Sequence, residues 1–287
     1  MRTRIFHRTG LLGGRRAAFA VVAIASLGLA GCQTESDTPS GPEIQADARI
    51  GSVENISSLT RVIEANPRDA TAYNLRGSAF GRAGDYEKAL ADFNAAISIN
   101  PDFYQAYANR ALVLRQMGQL QQAIADYNRA IAINPNYDVA YVGRGTIYRT
   151  AGRYNQALAD FDAALRINNA DARAFHGRAL IQQAQGNQAY AIEDFTQAIG
   201  LDPNAAAPYN GRGLSYMAIG DYKAAFTDFT EAVNRDRNSL EAWTNRGLAA
   251  EKLGERQKAM AAFNRALTIN PNYAPAKDGL NRVTRGS

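Results

Sequence analysis

Small, aromatic and proline residues recur along most of the chain with a period of 34 residues. In each period a glycine precedes an alanine by five residues, and an aromatic residue follows that alanine by four. The glycines suit the left-handed residue that ends a helix, and prolines suit helix boundaries, so every period predicts helix ends in the same register. The positions are Gly84, Gly118, Gly152, Gly186, Gly220 and Gly254; Ala89, Ala123, Ala157, Ala191, Ala225 and Ala259; Phe93, Tyr127, Phe161, Phe195, Phe229 and Phe263; and Pro67, Pro101, Pro135, Pro203 and Pro271.

The order of residue types within one period identifies the repeat. The first contains Tyr73, Gly77, Phe80, Ala89, Phe93, Ala96 and Pro101, the second contains Tyr107, Ala111, Leu114, Ala123, Tyr127, Ala130 and Pro135, and the sixth opens with Trp243. This pattern resembles the tetratricopeptide repeat, a helix–turn–helix unit of 34 residues. The resemblance implies an all-α fold, a right-handed superhelical solenoid of six repeats over residues 70–273, in which stacked neighbours bury their apolar faces jointly.

Both ends of this array have the composition expected of solenoid ends. Residues 51–69 place Ile56, Leu59, Val62 and Ile63 where a second helix would have its apolar face, which predicts an N-terminal half repeat. Residues 274–287 carry Lys277 where an aromatic residue would stand, which predicts a more polar C-terminal capping helix.

The seventh residue of every repeat is arginine, where the family usually has leucine. One interpretation is a row of basic residues for an acidic ligand, and the other is an internal ion pair. An aspartate sixteen residues later in five repeats favours the ion pair, because an unpaired charge between packed helices is costly. The predicted pairs are Arg76–Asp92, Arg110–Asp126, Arg144–Asp160, Arg178–Asp194 and Arg212–Asp228; Arg246 faces Ala262 and is expected to turn to solvent or to another acceptor.

The resemblance also implies a concave groove, lined by the first helices, that binds a protein or peptide. Arg82, Arg115 and Arg149 would be either a receptor for an acidic segment or C-terminal carboxylate, or three solvated surface arginines. The asparagines could hydrogen-bond a peptide backbone, and His176 is either a pH-sensitive contact or an ordinary polar residue. The complete set of candidate groove residues is Asn74, Arg82, Gln105, Asn109, Arg115, Gln116, Arg149, His176, Asn210 and Asn245.

Composition excludes several classes of function. The formal charge is +5, but five arginines precede residue 32 with no acid among them, so the remaining chain is neutral and a broad nucleic-acid surface is not expected. One cysteine and two histidines provide neither a disulfide framework nor a thiolate metal site, and almost nothing for a catalytic triad. We therefore expect no enzyme activity, no metal and no cofactor.

The N-terminal residues predict export and lipidation. An arginine-rich stretch over residues 1–16 is followed by a short apolar run, Ala17 to Ala30, which is typical of a secretory signal; the alternative is a single-pass anchor. Leu29-Ala30-Gly31-Cys32 resembles the lipobox of bacterial lipoproteins, which implies a signal peptide over 1–31 and a lipid on Cys32. The polar residues 32–50 have linker composition.

Taken with the repeats, these features predict a lipid-anchored scaffold of the bacterial cell envelope that binds a protein or peptide partner. It would face the periplasm, and Gln33 is compatible with the outer membrane of a Gram-negative bacterium. Two alternatives stay open: a carbohydrate- or peptidoglycan-binding solenoid, and a pilotin-like assembly factor for a secretion or pilus complex.

Overall fold

The computed structural model describes residues 53–285, and these residues form fourteen α-helices and no strand. The fold class predicted from the sequence, an all-α solenoid of paired helices, is confirmed for this part of the chain. The predicted signal peptide and the predicted tether, which begins at Cys32, lie outside the described residues. The helices are α1 (Val53–Ala65), α2 (Ala70–Arg82), α3 (Tyr86–Ile99), α4 (Tyr104–Gln116), α5 (Leu120–Ile133), α6 (Asp138–Thr150), α7 (Tyr154–Ile167), α8 (Ala172–Ala184), α9 (Gln188–Leu201), α10 (Ala206–Ala218), α11 (Tyr222–Arg235), α12 (Leu240–Lys252), α13 (Arg256–Ile269) and α14 (Ala274–Arg285).

The turn between the two helices of each repeat depends on one glycine. Gly84 has φ +81°, and its N–H donates to the carbonyl of Gly81 at 3.2 Å, while Asp85 N–H donates to the carbonyl of Phe80 at 2.9 Å. A residue with a Cβ is strained at this φ, so glycine ends the first helix at this position in all six repeats. Asp85 then caps the second helix by accepting from Lys88 N–H, which starts α3 two residues after the glycine.

Each aromatic ring of the 34-residue pattern lies between two first helices. Phe161 on α7 is fully buried, and a Cβ added at Gly145 on α6 would lie 3.3 Å from its Cε1. A Cβ added at Gly177 on α8, in the next repeat, would lie 2.6 Å from the same atom. The ring therefore packs against the backbone of its own repeat and of the following one, which couples neighbouring repeats.

The helices contact their near neighbours only. Within residues 53–285 each helix touches the next one, and the first helices α2, α4, α6, α8, α10 and α12 also touch one another in sequence and end on α14. The backbones of second helices in consecutive repeats do not approach each other closely within the same residues. The first helices therefore form the crowded inner side of the array, while clefts between second helices open on the outer side. Helix α1 packs on α2 at one end, and α14 packs on α12 and α13 at the other.

Candidate binding groove and arginine network

The arginine network consists of the arginines at the seventh residue of the six repeats, and five of them each donate two hydrogen bonds to an aspartate on the second helix of the same repeat. The Nε of Arg110 donates to Oδ2 of Asp126 at 2.7 Å, and its Nη2 donates to Oδ1 at 2.7 Å. The same two bonds, at 2.6 to 2.9 Å, join Arg76 to Asp92, Arg144 to Asp160, Arg178 to Asp194 and Arg212 to Asp228. The aspartates are buried, and this planar two-bond geometry supplies the carboxylate with fixed donors.

Each of these arginines also reaches back to the preceding repeat, a contact that sequence reasoning missed. The Nη1 of Arg110 donates to Oδ1 of Asn94 on α3 at 2.6 Å, sixteen residues earlier. The equivalent acceptors are Thr60, Asn128, Asp162 and Thr196 for Arg76, Arg144, Arg178 and Arg212 respectively. The position was polar in every repeat, which could have indicated the contact. One guanidinium thus joins three helices across a repeat boundary.

The charge of these arginines is satisfied inside the protein. The hydrogen bonds to the aspartates raise the pKa of Arg76, Arg110, Arg144, Arg178 and Arg212 above the ordinary arginine value, although burial acts in the opposite direction. A guanidinium already holding a buried carboxylate has little capacity for an external ligand. The geometry therefore favours internal ion pairs over a basic row directed at a ligand.

Arg246 differs from the other five because its facing residue is Ala262, which is fully buried and has no acceptor. The Nε of Arg246 donates to Oγ1 of Thr230 at 3.0 Å, and its Cζ lies 4.9 Å from the ring centre of Phe226 and 5.5 Å from that of Trp243. Burial lowers the pKa of Arg246, whereas hydrogen bonds raise it for the other five.

The groove asparagines are bonded to each other between consecutive first helices. The Nδ2 of Asn109 donates to Oδ1 of Asn74 at 3.0 Å, and the Nδ2 of Asn245 donates to Oδ1 of Asn210 at 3.0 Å. Sequence reasoning assigned these amides to a peptide backbone. Because an amide has four hydrogen-bonding sites, each pair still retains donors and acceptors for a ligand after this bond.

Two of the three predicted groove arginines lie in the same register of α4 and α6. Arg115 and Arg149 are half-buried, and neither forms an ion pair or side-chain hydrogen bond within residues 53–285. Burial lowers the pKa of Arg149; Tyr154 acts in the opposite direction, and the positive charge of Arg115 makes a smaller contribution that lowers it. Arg82 is exposed at the end of α2, and burial alone lowers its pKa. Arg115 thus lies within electrostatic range of Arg149, whereas no charge effect of another arginine is found at Arg82.

His176 on α8 lies next to this arginine pair. Burial, together with a smaller effect of the positive charge of Arg149, lowers the pKa of His176 to about 4, so the imidazole is neutral near pH 7. Its ring is 5.7 Å from that of Phe195, in a tilted arrangement. Two roles were considered for His176, a pH-sensitive contact and an ordinary polar residue of the groove. A pKa of about 4 agrees better with the ordinary polar residue, because such an imidazole does not change its charge near neutral pH.

The remaining candidates, Gln105 and Gln116, are half-buried and exposed respectively, and make no side-chain hydrogen bond with the described residues.

Sequence reasoning missed a row of leucines on the first helices, at the ninth residue of four repeats. Leu112 is 38% exposed and Leu214 is 39% exposed, while Leu180 and Leu248 are half-buried. These side chains give the inner side an apolar component, most continuous in its C-terminal half, where the three leucines from consecutive repeats follow one another.

The described residues contain neither a metal-binding cluster nor a membrane-spanning helix. No group of histidine, cysteine and acidic side chains there has the arrangement needed to hold a metal ion. None of the described helices has the length and the apolar character needed to cross a bilayer.

Comparison with protein families identifies the repeats. Models described as "Tetratricopeptide repeat" match residues 70–103, 104–137, 240–273, 126–159, 172–205 and 206–239, and one described as "TPR repeat" matches 145–186. Together they cover residues 70–273 without a gap. The chain belongs to the tetratricopeptide repeat family, whose members are scaffolds that bind protein or peptide partners.

Solved structures of tetratricopeptide proteins share the fold. In the APC/C hetero-tetramer Cut9-Hcn1, one chain aligns with a TM-score of 0.72 and 19% identity over 82% of this chain, and this chain covers only 48% of it. PilF of Pseudomonas aeruginosa aligns with a TM-score of 0.67 and 18% identity over 74% of this chain and 98% of that one. YrrB, described as having an unusual peptide-binding site, aligns with a TM-score of 0.53 and 24% identity over 65% of this chain and 96% of that one. No curated protein sequence matches the chain significantly.

Proposed function

We propose that the protein is a lipid-anchored adaptor of the bacterial cell envelope, which binds an acidic segment of a partner protein on the inner side of its repeats. Cys32 would carry the lipid, residues 32–50 would be the tether, and residues 70–273 would present the partner site. The anchoring part of this proposal rests on the lipobox resemblance alone.

The observation that supports the binding part is the contrast between paired and unpaired arginines. Every network arginine from Arg76 to Arg212 has a buried aspartate, whereas Arg115 and Arg149 have no acidic partner among the described residues and are close enough for the charge of Arg115 to lower the pKa of Arg149. Two neighbouring cations without counter-charges create a positive potential that attracts carboxylates and increases the association rate. Leu112, which is exposed three residues before Arg115 on α4, would supply apolar contact area.

The carbohydrate-binding alternative finds less support. It requires aromatic platforms on the inner side, but the aromatic residues of the 34-residue pattern are 0 to 2% exposed because they fill the space between repeats. The pilotin-like alternative concerns the identity of the partner and stays a prediction.

The binding experiment uses the mature protein and partners captured by crosslinking in intact envelopes. The double variant Arg115→Glu/Arg149→Glu should weaken the complex at least tenfold and remove most of its salt dependence. The matched control is Arg129→Glu/Arg166→Glu, which reverses two exposed arginines on the second helices α5 and α7 and should bind normally. Equal binding by both double variants would show that the partner does not use the groove.

The anchoring experiment is independent of the groove. The wild type should partition into membranes and incorporate acyl label, and Cys32→Ser should lose both properties. Acyl incorporation that persists in Cys32→Ser would remove Cys32 from the proposal while leaving the binding part intact.

A further inference from the structure

Arg110 of the arginine network lines an open cleft on the outer side of the second repeat. The cleft lies between the second helices α3 and α5 and has a volume of about 400 Å³. Pockets that bind ligands start at about 300 Å³, so this cleft is large enough to receive a side chain of another molecule. The Arg110 side chain is 23% exposed. The cleft is also lined by Leu90, Leu114, Gln119 and Gln122.

In the first and third repeats, an aromatic ring of the protein itself lies beside the network arginine, at the eleventh residue. The Cζ of Arg76 is 5.9 Å from the ring centre of Phe80, and the Cζ of Arg144 is 6.0 Å from that of Tyr148. A guanidinium is attracted to the face of a ring at distances up to about 6 Å. The second repeat has Leu114 at the eleventh residue, so Arg110 lacks this ring.

Arg110 therefore has an aromatic neighbour on one side only along α4. Its Cζ is 5.5 Å from the ring centre of Tyr107, and that of Arg144 is 5.7 Å from Tyr141. Residues three before and four after a given residue share its helix face, one on each side of it. Arg144 thus lies between Tyr141 and Tyr148, whereas Arg110 has Tyr107 on one side and the cleft on the other.

Other repeats fill the equivalent place in different ways. In the sixth repeat, Phe226 of the preceding second helix brings its ring centre to 4.9 Å from the Cζ of Arg246. In the fourth repeat the eleventh residue is Gln182, whose Oε1 accepts a hydrogen bond from Nδ2 of Asn187 at 3.0 Å. The second repeat instead has an aliphatic eleventh residue, and the place beside its arginine is open.

From this comparison we propose that the cleft between α3 and α5 binds an aromatic side chain, a tyrosine or a phenylalanine, of a partner protein. The ring would pack on Leu90 and Leu114 and against the guanidinium of Arg110, as the ring of Tyr148 does beside Arg144. Such a ring combines a large apolar area with attraction to the cation. The site lies on the side of the second helices, so it would be available while the groove is occupied.

The rim of the cleft provides polar groups for the same partner. Gln119 and Gln122 are exposed, and neither makes a side-chain hydrogen bond within residues 53–285. An amide both donates and accepts, so these side chains can bond to a tyrosine hydroxyl or to the partner's backbone. The proposed tether, residues 32–50, contains no aromatic residue and so does not provide the ring.

The binding test uses N-acetyl-tyrosine amide as the probe and the methyl resonances of Leu90 as the reporter. A bound ring changes the magnetic field at neighbouring methyl groups, so the wild type should show a saturable shift. N-acetyl-leucine amide, which has no ring, should bind at least fivefold more weakly.

Two variants fill the cleft from within. Leu114→Tyr introduces the residue that the third repeat has at this position, and Ala125→Phe adds a ring at an exposed residue that lines the cleft. Each should weaken binding of the probe at least tenfold. Ala159→Phe is the matched control, because it changes the equivalent exposed residue of α7 and should leave binding unchanged. Circular dichroism establishes that each variant is folded.

The proposal would be overturned by the absence of a saturable shift in the wild type, or by undiminished binding in either folded variant. If Leu114→Tyr does not fold, Ala125→Phe decides alone. Equal or stronger binding of N-acetyl-leucine amide would overturn the assignment to an aromatic side chain. Dimers that both Leu114→Tyr and Tyr190→Ala abolish in analytical ultracentrifugation would assign the ring to a second copy of the chain, since Tyr190 is 65% exposed, and would overturn the separate partner. All of these results are independent of the Arg115→Glu/Arg149→Glu experiment, which concerns the groove.

Discussion

Arg110 and Arg115 lie five residues apart on α4, and Arg144 and Arg149 lie five apart on α6, yet the two members of each couple differ in almost every physical respect. Arg110 and Arg144 face the second helices and hold buried aspartates, which raise their pKa values. Arg115 and Arg149 face the inner side without a counter-charge, and the pKa of Arg149 is lowered. The register of an arginine within the repeat, and not its chemical identity, decides whether it supports the fold or remains available to a ligand.

Removing a buried aspartate should cause the largest loss of stability among the substitutions that test this comparison. Asp160→Ala leaves Arg144 with a single hydrogen bond to Asn128, and we expect a loss of about 2–4 kcal/mol in the free energy of unfolding. Asp162→Ala, two residues along α7, is the control. The side chain of Asp162 is 44% exposed against 6% for Asp160, so it should cost less than about 1 kcal/mol. Urea denaturation measures the free energy of unfolding of both variants. Equal losses would contradict the distinction between the buried and the exposed aspartate.

The second effect is a pH dependence that originates at His176. Its pKa of about 4 in the folded protein lies below the unfolded value of about 6.5, so the unfolded chain binds the proton first as the pH falls. The folded state therefore loses stability from about pH 6.5 downward, and the loss is complete near pH 4. Between pH 7 and pH 5 it should reach about 2 kcal/mol relative to His176→Gln. Parallel pH profiles of the two proteins would show that His176 does not contribute.

The third effect tests the packing behind the groove. Gly177→Ala places a Cβ against the buried ring of Phe161 and should destabilise the protein by about 1–2 kcal/mol. Gly200→Ala on α9 is the matched control, because a Cβ there meets nothing within 4 Å and the substitution should stabilise the helix by about 0.5–1 kcal/mol. Thermal melts of both variants give the comparison, and a stabilising Gly177→Ala would contradict it.

The smallest effect on stability should come from the groove arginines. Arg115→Gln/Arg149→Gln removes two neighbouring like charges and no hydrogen bond or ion pair, so the free energy of unfolding should change by less than about 0.5 kcal/mol. A loss comparable to that of Asp160→Ala would show that these arginines support the fold and would weaken their assignment to a partner.

The sequence allowed the repeat architecture to be predicted because every structural position recurs at one spacing. The ion pair between Arg110 and Asp126 could be predicted because both residues belong to one repeat, where the helix–turn–helix geometry fixes which residues face each other. The contact from Arg110 to Asn94 crosses a repeat boundary, and so does the bond between Asn109 and Asn74. Contacts of this kind depend on how closely successive repeats stack, and the rings and glycines at the boundary determine that distance. Arg82 differs from Arg115 and Arg149 for a reason that is visible in the sequence, because it occupies the thirteenth residue of its repeat and they occupy the twelfth.

Contacts restricted to adjacent helices have a consequence for how the chain folds. Residues that meet in the described array are close in sequence, so little loop entropy opposes their association, and helical arrays of this type form faster than topologies that join distant segments. Structure can start in any repeat and extend in both directions by adding one helix at a time. Emerging from the ribosome, such an array would not need its C-terminal residues before its first repeats become ordered.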